Sequence, residues 1–385
     1  MKFILFFLTI FLFHFVYPQN IIKIINQDTV SENLNQKDTL NKILYNSNNR
    51  EEIVVSVLLP FYSSLINDED FNIESLVNKS YVSLELYKGI MIAYDSLSRL
   101  GYSINLNIFD TYNDSLIIDS ISKLDIIKKS SIIFGPLFSD NFNFFATKKR
   151  FNNKKLISPL SFKDVVYRKN FAYQTTPSEE IQMDAIASFV QSRHNGKKVI
   201  ILGNNQNLDN VDYLYNSMKK MDSLDIITHI YSDIDSVHNS RIHDLEILDE
   251  DENIIIIPSV NKNFVSANIS VLSTMKDTSF VVFGFNVWDS FDNLDFEDLE
   301  FLNVHYIKLK CLTDKSDYSQ FVSMYKERYY SFPSYFALSA FRQFMFFIND
   351  SYDNLFDFRR SFGSGYQNVS FDFVTQHRYK QIIVE

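Results

Sequence analysis

One cysteine, Cys311, is present in 385 residues, so no intrachain disulfide can form. Glycine is scarce, eight in all, and the phosphate-cradling patterns Gly-x-Gly-x-x-Gly and Gly-x4-Gly-Lys-Ser are absent, which argues against a nucleotide enzyme. No Gly-x-Ser-x-Gly elbow precedes a helical pattern, so a serine hydrolase lacks its signature; Gly363-Ser-Gly365 reads as a turn. Seven histidines show no His-Glu-x-x-His and have no cysteine partners. His238 and His243 flank a polar loop and read as solvated residues, as does the acidic run Asp249 to Glu252. The formal net charge is −10, and no basic stripe with interleaved aromatics exists, which argues against nucleic acid as a partner. After the first twenty residues no apolar run reaches the roughly eighteen residues that would span a bilayer. These absences lead us to expect no enzyme, no metal and no cofactor.

What is present begins with a targeting pattern. Lys2 is a minimal charged start, Phe3 to Tyr17 is nearly all apolar, and Pro18-Gln19 opens the polar exit. Residues 1–19 are expected to be a cleaved secretory signal, with a retained anchor as the alternative. No cysteine near residue 20 offers a lipid-attachment site. A signal without disulfides fits a bacterial periplasm or cell envelope. Residues 20–50, rich in Asn, Gln, Asp and Ser without periodicity, are expected to be a disordered tether.

From residue 51 onward the pattern becomes strand, helix, strand. Ile53 to Leu59 is β-branched and closed by Pro60. Ser80 to Arg99 carries an apolar helical face through Leu84, Tyr87, Ile90 and Leu97, with Gly101 at its C-cap. Gly89 sits inside that helix, where it costs about 1 kcal/mol against Ala; close packing of helix on sheet would justify it. Further strands are expected at 104–109, 132–134, 155–158, 199–203, 226–231, 254–257, 279–284 and 305–309. Helices are expected between them, at 241–248 among others, and again at 318–330 and 334–350. A short helix at 356–362 and a closing antiparallel pair, 367–373 with 379–384, complete the chain. The expected class is α/β, two Rossmann-like lobes with mostly parallel sheets and helices on both faces.

Ser131-Ile-Ile-Phe-Gly-Pro-Leu-Phe-Ser139 concentrates the functional signal. A buried strand ends at Gly135-Pro136, and Ser139-Asp140 stand where a helix N-cap belongs. A serine hydroxyl and a helix start thus come to the carboxyl end of a parallel strand, where open α/β sheets bind ligands. Ser139 is either a plain cap or a cleft residue. Gly203 and Gly284 also fall at strand ends.

The order Val-Ser-Val-Leu-Leu-Pro60, Leu86-Tyr-Lys-Gly-Ile-x-Ile-Ala-Tyr-Asp95, Ile133-Phe-Gly-Pro-Leu-Phe-Ser139, Leu156-Ile-Ser-Pro-Leu-Ser161 and Tyr173-Gln-Thr-Thr-Pro-Ser178 resembles type I periplasmic binding proteins. The branch it is most similar to is that of leucine/isoleucine/valine-type substrate-binding proteins. The likeness holds at motif level from about residue 53 to 205 and then only in element order. It implies two lobes joined by a hinge, one formed by 51–176 and 306–373, the other by 177–305 and 374–385. It also implies a small ligand in the cleft between them. Ser139 matches the family serine that receives the ligand's carboxylate, and Leu160-Ser161-Phe162 the next binding loop. From the other lobe the resemblance points to Asn204, Asn205, Asn286 and Trp288, with core packing an equal alternative for Trp288. Two departures stand out. The aromatic of the loop after residue 203 has no counterpart in Asn204 to Leu208, and the carboxylate that follows Gly284 is replaced in register by Asn286. Phe162, bulkier than the family's threonine, also crowds the cleft.

The expected function is that of a periplasmic solute-binding protein working with a transporter or sensor. The alternative is a non-catalytic envelope or peptidoglycan-associated scaffold of the same fold, without a solute and with an envelope protein as its partner.

Overall fold

Two seven-stranded sheets organise the chain, and their five-strand cores follow the same order. In a computed structural model, the first sheet contains β1 (Ile53–Leu59), β2 (Ile104–Asp110), β3 (Ile132–Phe134), β4 (Lys155–Ser158) and β5 (Ala172–Gln174), arranged 2-1-3-4-5 and all parallel. The second contains β6 (Lys198–Asn204), β7 (Asp225–Tyr231), β8 (Glu252–Ile256), β9 (Ser279–Gly284) and β10 (Val304–Leu309), arranged 7-6-8-9-10, also parallel. The structure describes residues 51–63, 73–148, 154–221, 225–232, 248, 252–360 and 363–384, with backbone only at 73–77. The expected signal, the tether, the helix at 241–247, His238, His243 and acidic residues 249–251 lie outside the described residues.

Parallel strands need crossovers, and helices supply them on both faces. In the first sheet, Val55, Val57 and Leu59 point to α1 (Ile73–Arg99), while Leu58, Ile133 and Leu156 point to α2 (Ser115–Ser122) and α4 (Ser139–Ala146); α3 (Asp125–Lys129) lies between these two helices in sequence. This two-residue alternation with both faces buried explains the continuous apolar strands. The second sheet builds one core with α5 (Glu179–Arg193), α6 (Leu208–Lys219), α7 (Lys262–Ser273) and α8 (Phe296–Phe301). Among the described residues no helix is long and apolar enough to cross a membrane.

The chain passes between the sheets three times. It leaves the first sheet after β5, returns after β10 through α9 (Lys310–Thr313), α10 (Tyr318–Tyr329) and α11 (Tyr335–Asn349), and leaves again between β12 (Tyr366–Asn368) and β13 (Phe371–His377). The sequence puts two of these passages at 305/306 and 373/374. Those positions fall inside β10 and β13, both strands of the second sheet.

Three local expectations are corrected. The proposed helix at 356–362 gives way to β11 (Phe358–Arg360), which pairs antiparallel with β12; Phe358 packs against Tyr173, Phe346 and Phe347, a long-range burial that local pattern does not report. The expected pair 367–373 with 379–384 divides: β12 joins the first sheet, and β13 pairs with β14 (Lys380–Ile383) in the second. Gly89 serves helix-on-helix packing rather than helix on sheet. A methyl group there would lie 2.1 Å from the Ala337 carbonyl oxygen on α11.

Candidate functional site

Ser139 is the first residue of α4, and its hydroxyl does not cap the helix. Phe138 occupies the cap position with no side-chain hydrogen bond. The hydroxyl instead lies 2.8 Å from Ser161 Oγ, and Ser161 donates to the Lys163 carbonyl at 2.9 Å. That leaves the Ser139 hydroxyl to donate to Ser161. Backbone geometry places Ser139 here: Gly135 has φ +88°, and a side chain on it would strike the Leu58 carbonyl oxygen at 2.2 Å. The loop bearing Leu160 and Ser161 is held from beneath by Gln174, fully buried, whose amide donates to the Ser161 carbonyl at 2.9 Å and accepts from the Val165 N–H at 3.1 Å.

These residues line a cavity of about 640 Å³ whose walls come from both sheets. The first half supplies Lys79 and Val82 of α1, Leu137 to Ser139 after β3, Leu160 to Lys163 after β4, and Tyr335 and Phe336 at the start of α11. The second half supplies Val260 after β8, Asn286 to Ser290 after β9, and Ile307 to Leu309 at the end of β10. Apart from the residues on α1 and α11, these contributors lie at or just beyond the carboxyl ends of parallel strands, the crevice that doubly wound sheets leave open.

The cavity brings together Ser139, Leu160, Ser161 and Asn286 of the sequence candidates. Asn204, Asn205 and Trp288 lie outside its lining. Asn204, the last residue of β6, is buried, and its side chain accepts from the Gln206 N–H of the following turn at 2.9 Å. Asn205 is exposed and donates to the Ser232 carbonyl at 3.0 Å. Trp288 is 2% exposed and belongs to the core of the second half. Its indole fills the space over Gly284, where a methyl group would come within 2.3 Å of the ring, and donates to the Ser259 carbonyl at 3.0 Å. The glycine that ends β9 therefore makes a slot for a core tryptophan.

Asn286 and Asp289 set the electrostatics of the second wall. The Asn286 N–H donates to Gln182 Oε1 at 2.8 Å, while its own Oδ1 is buried without a partner. Asp289 is engaged on both oxygens: Lys308 Nζ lies 2.9 Å from Oδ2, and Oδ1 accepts from the Tyr306 hydroxyl at 3.2 Å and from the Gln381 amide. Burial pushes the Tyr306 phenol well above its ordinary range, and the Asp289 charge adds to that shift. Among the described residues no group of His, Cys, Asp and Glu is placed to hold a metal ion.

Sequence reasoning passed over Lys79, Lys308, Tyr335 and Phe336. Lys308 carried a usable signal, since it closes a parallel strand of the second sheet. Tyr335 and Phe336 gave none, because their helix reaches the cavity only through the passage after β10.

No protein-family model matches the sequence, and no curated protein is similar to it. Solved structures are. A putative branched-chain amino acid ABC transporter protein of Rhodospirillum rubrum superposes with a TM-score of 0.62 at 9% identity, over 87% of this chain and 100% of that one. LivJ, the branched-chain amino acid transporter substrate-binding protein of Streptococcus pneumoniae in complex with isoleucine, gives 0.52 at 15% identity, over 87% and 99%. The C-domain of LpoA from Haemophilus influenzae, a regulator of PBP1A, gives 0.53 at 10% identity, over 86% and 100%. At such identities the likeness establishes architecture, and with two mostly parallel sheets of the same strand order the chain has the fold of type I periplasmic binding proteins.

Proposed function

We propose that the chain is a solute-binding protein of the bacterial periplasm that takes a small ligand into the cleft between its two halves and presents it to a transporter or sensor. The observation that carries this reading is the cavity of about 640 Å³ lined from both sheets, within the usual size range of small-molecule sites. Ser139, Leu160 and Ser161 would hold the ligand from the first half and Asn286 from the second. A ligand gripped by both halves favours the closed arrangement, because only there are both sets of contacts made.

A second reading is an envelope scaffold with no solute, favoured by the likeness to the LpoA C-domain and by Phe138, Phe162, Tyr335 and Phe336 in the cleft. A thermal-shift screen of amino acids, organic acids, peptides, sugars and wall fragments separates the two, since a ligand that binds the folded state raises the midpoint. The solute reading expects at least one shift, which Ser139→Ala abolishes. A flat screen, with an envelope protein recovered by cross-linking, would establish the scaffold.

A further inference from the structure

We infer that the amino-terminal end of the first sheet is a docking face for an anionic lipid surface. This is the end of the strands opposite the cleft, and the inference stands whatever the cleft holds.

Charge is unevenly placed along the chain. There are 37 Lys and Arg against 47 Asp and Glu, yet residues 123–169 contain eleven Lys or Arg and three Asp. The sequence shows no basic stripe with interleaved aromatics, but the register of the sheet assembles one. The Ser131 N–H donates to the Val54 carbonyl, the Lys155 N–H to that of Ser131 and the Leu156 N–H to that of Phe171, at 2.9, 3.0 and 3.1 Å. Lys128 and Lys129 before β3, Lys154 and Lys155 at the start of β4, and Arg168 and Lys169 before β5 therefore lie along one edge. Arg360, exposed at the end of β11 and paired opposite Tyr366, extends the row. Lys154 Nζ donates to the Lys128 carbonyl at 2.6 Å and to that of Ser130, which holds two strand starts together.

The acids at this end are fewer. Asp125 pairs with Lys128 at 2.6 Å, Asp164 lies near Lys169, and exposed Glu51 and Glu52 precede β1. Among the described residues, exposed Lys129, Lys155 and Arg168 form no ion pair. Like charges so crowded repel one another, and an anionic surface relieves that repulsion while attracting each Lys and Arg.

Two further observations favour lipid over a soluble polyanion. Aromatic and apolar groups sit among the cations: a cavity of about 490 Å³ beside Lys154 and Lys155 is walled by Phe171, Tyr173, Phe347, Ile348 and Tyr366. Tyr167, 57% exposed, flanks Arg168. Amphipathic tyrosine rings settle at the headgroup level of a bilayer. The chain also enters the fold here, because residues 1–50, with the apolar run Phe3 to Tyr17, join β1 through Glu51. A chain brought to a membrane by that run presents this end to the lipid.

The experiment uses the chain from residue 20 onward, so that the apolar run takes no part. It measures flotation with vesicles of phosphatidylcholine, alone or with about one-third phosphatidylglycerol to supply the anionic surface. Binding is expected to the anionic vesicles only, and to fade as salt rises from about 0.05 M to about 0.5 M and screens the charges. Lys129→Glu with Lys155→Glu should weaken it about tenfold or more, since each cation near the surface contributes. Lys219→Glu with Lys220→Glu, exposed at the end of α6 in the second half, makes the same change in net charge and should leave binding unaltered. Lys129→Gln with Lys155→Gln should give a smaller loss, and it decides the matter if the reversed pair lowers the thermal midpoint. Equal binding to neutral vesicles, no binding to either, or equal losses from the two reversed pairs overturns the inference. So does retention on immobilised polyglutamate or DNA without binding to vesicles, which would assign the face to an acidic protein or a nucleic acid.

Discussion

The side-chain amide of Asn368 donates to the main-chain carbonyl of Thr175 at 3.0 Å, joining two of the three passages between the sheets. Asn368 is fully buried, and its Oδ1 accepts from the N–H groups of Asp357 and Ser370, each at 3.1 Å. One side chain therefore fixes the exit from β5, the approach to β11 and the entry to β13. Beside it, Gln367 Oε1 accepts from the Ser178 N–H at 3.2 Å.

Asn368→Ala would leave the buried Thr175 carbonyl without this partner and would also release the N–H groups of exposed Asp357 and half-buried Ser370. A buried polar group without its partner costs about 1–3 kcal/mol, so a loss of about that size is expected in urea unfolding. Asn368→Asp keeps the two acceptor bonds but buries a carboxylate oxygen against the Thr175 carbonyl, so it too should lose stability; either variant being as stable as wild type would remove this residue from the hinge.

Gly89→Ala sets two effects against each other. Alanine improves an exposed helix interior by about 1 kcal/mol, but here its methyl would lie 2.1 Å from the Ala337 carbonyl oxygen. Backbone must move, and overpacking of this kind costs about 1–3 kcal/mol. The net expectation is destabilisation, seen as a lower thermal midpoint, and a raised midpoint would refute the close crossing of α1 and α11.

Glu85 predicts an acid-side loss of stability. It is buried, and burial alone would raise its pKa, yet Lys88, the Ser334 hydroxyl and the Tyr325 hydroxyl together hold the carboxyl below its ordinary value. A carboxyl whose folded pKa is depressed stabilises the fold above its unfolded pKa, near 4.3, and loses that contribution as the pH falls through the folded value. Urea midpoints measured from pH 6 down to pH 3 should drop more steeply for wild type than for Glu85→Gln. Parallel curves would count against this role.

Cys311 should behave as a closed thiol. It is fully buried beside the second passage, where burial pushes its pKa up to about 12. Its carbonyl accepts from buried Arg342 at 2.6 Å, and the same guanidinium pairs with Asp317. A thiol reagent should be inert toward the native protein and titrate one group after denaturation. Arg342→Ala, which leaves Asp317 with only the Tyr352 hydroxyl and takes a donor from the carbonyls of Cys311 and Asp314, should cost about 3 kcal/mol and make the thiol reactive under native conditions.

The alternation of strands and helices was legible because parallel strands buried on both faces appear as short β-branched runs, as Ile53 to Leu59 and Val199 to Leu202 do. Ser139, Leu160, Ser161 and Asn286 were legible for a related reason, each following the end of such a run. Trp288 and the asparagines at the end of β6 obey the same rule and still miss the cavity. The indole is drawn into the slot over Gly284, and Asn204 is used up by its own turn. β11 was read as a helix because the packing of Phe358 against Tyr173 comes from far away in sequence. The closure of Asp289 was likewise hidden, since Gln381 lies 92 positions away.

The shared strand order has a consequence for how such a chain can change. Both sheets turn their carboxyl ends toward one cavity, while α1, α11 and the strand interiors keep their own cores. What the cleft accepts is thus written in the connections that follow the strands, together with the ends of α1 and α11 that reach it. New ligands can be acquired, or the cleft retired, by exchanging a few loop residues, which leaves architecture recognisable long after sequence likeness has faded.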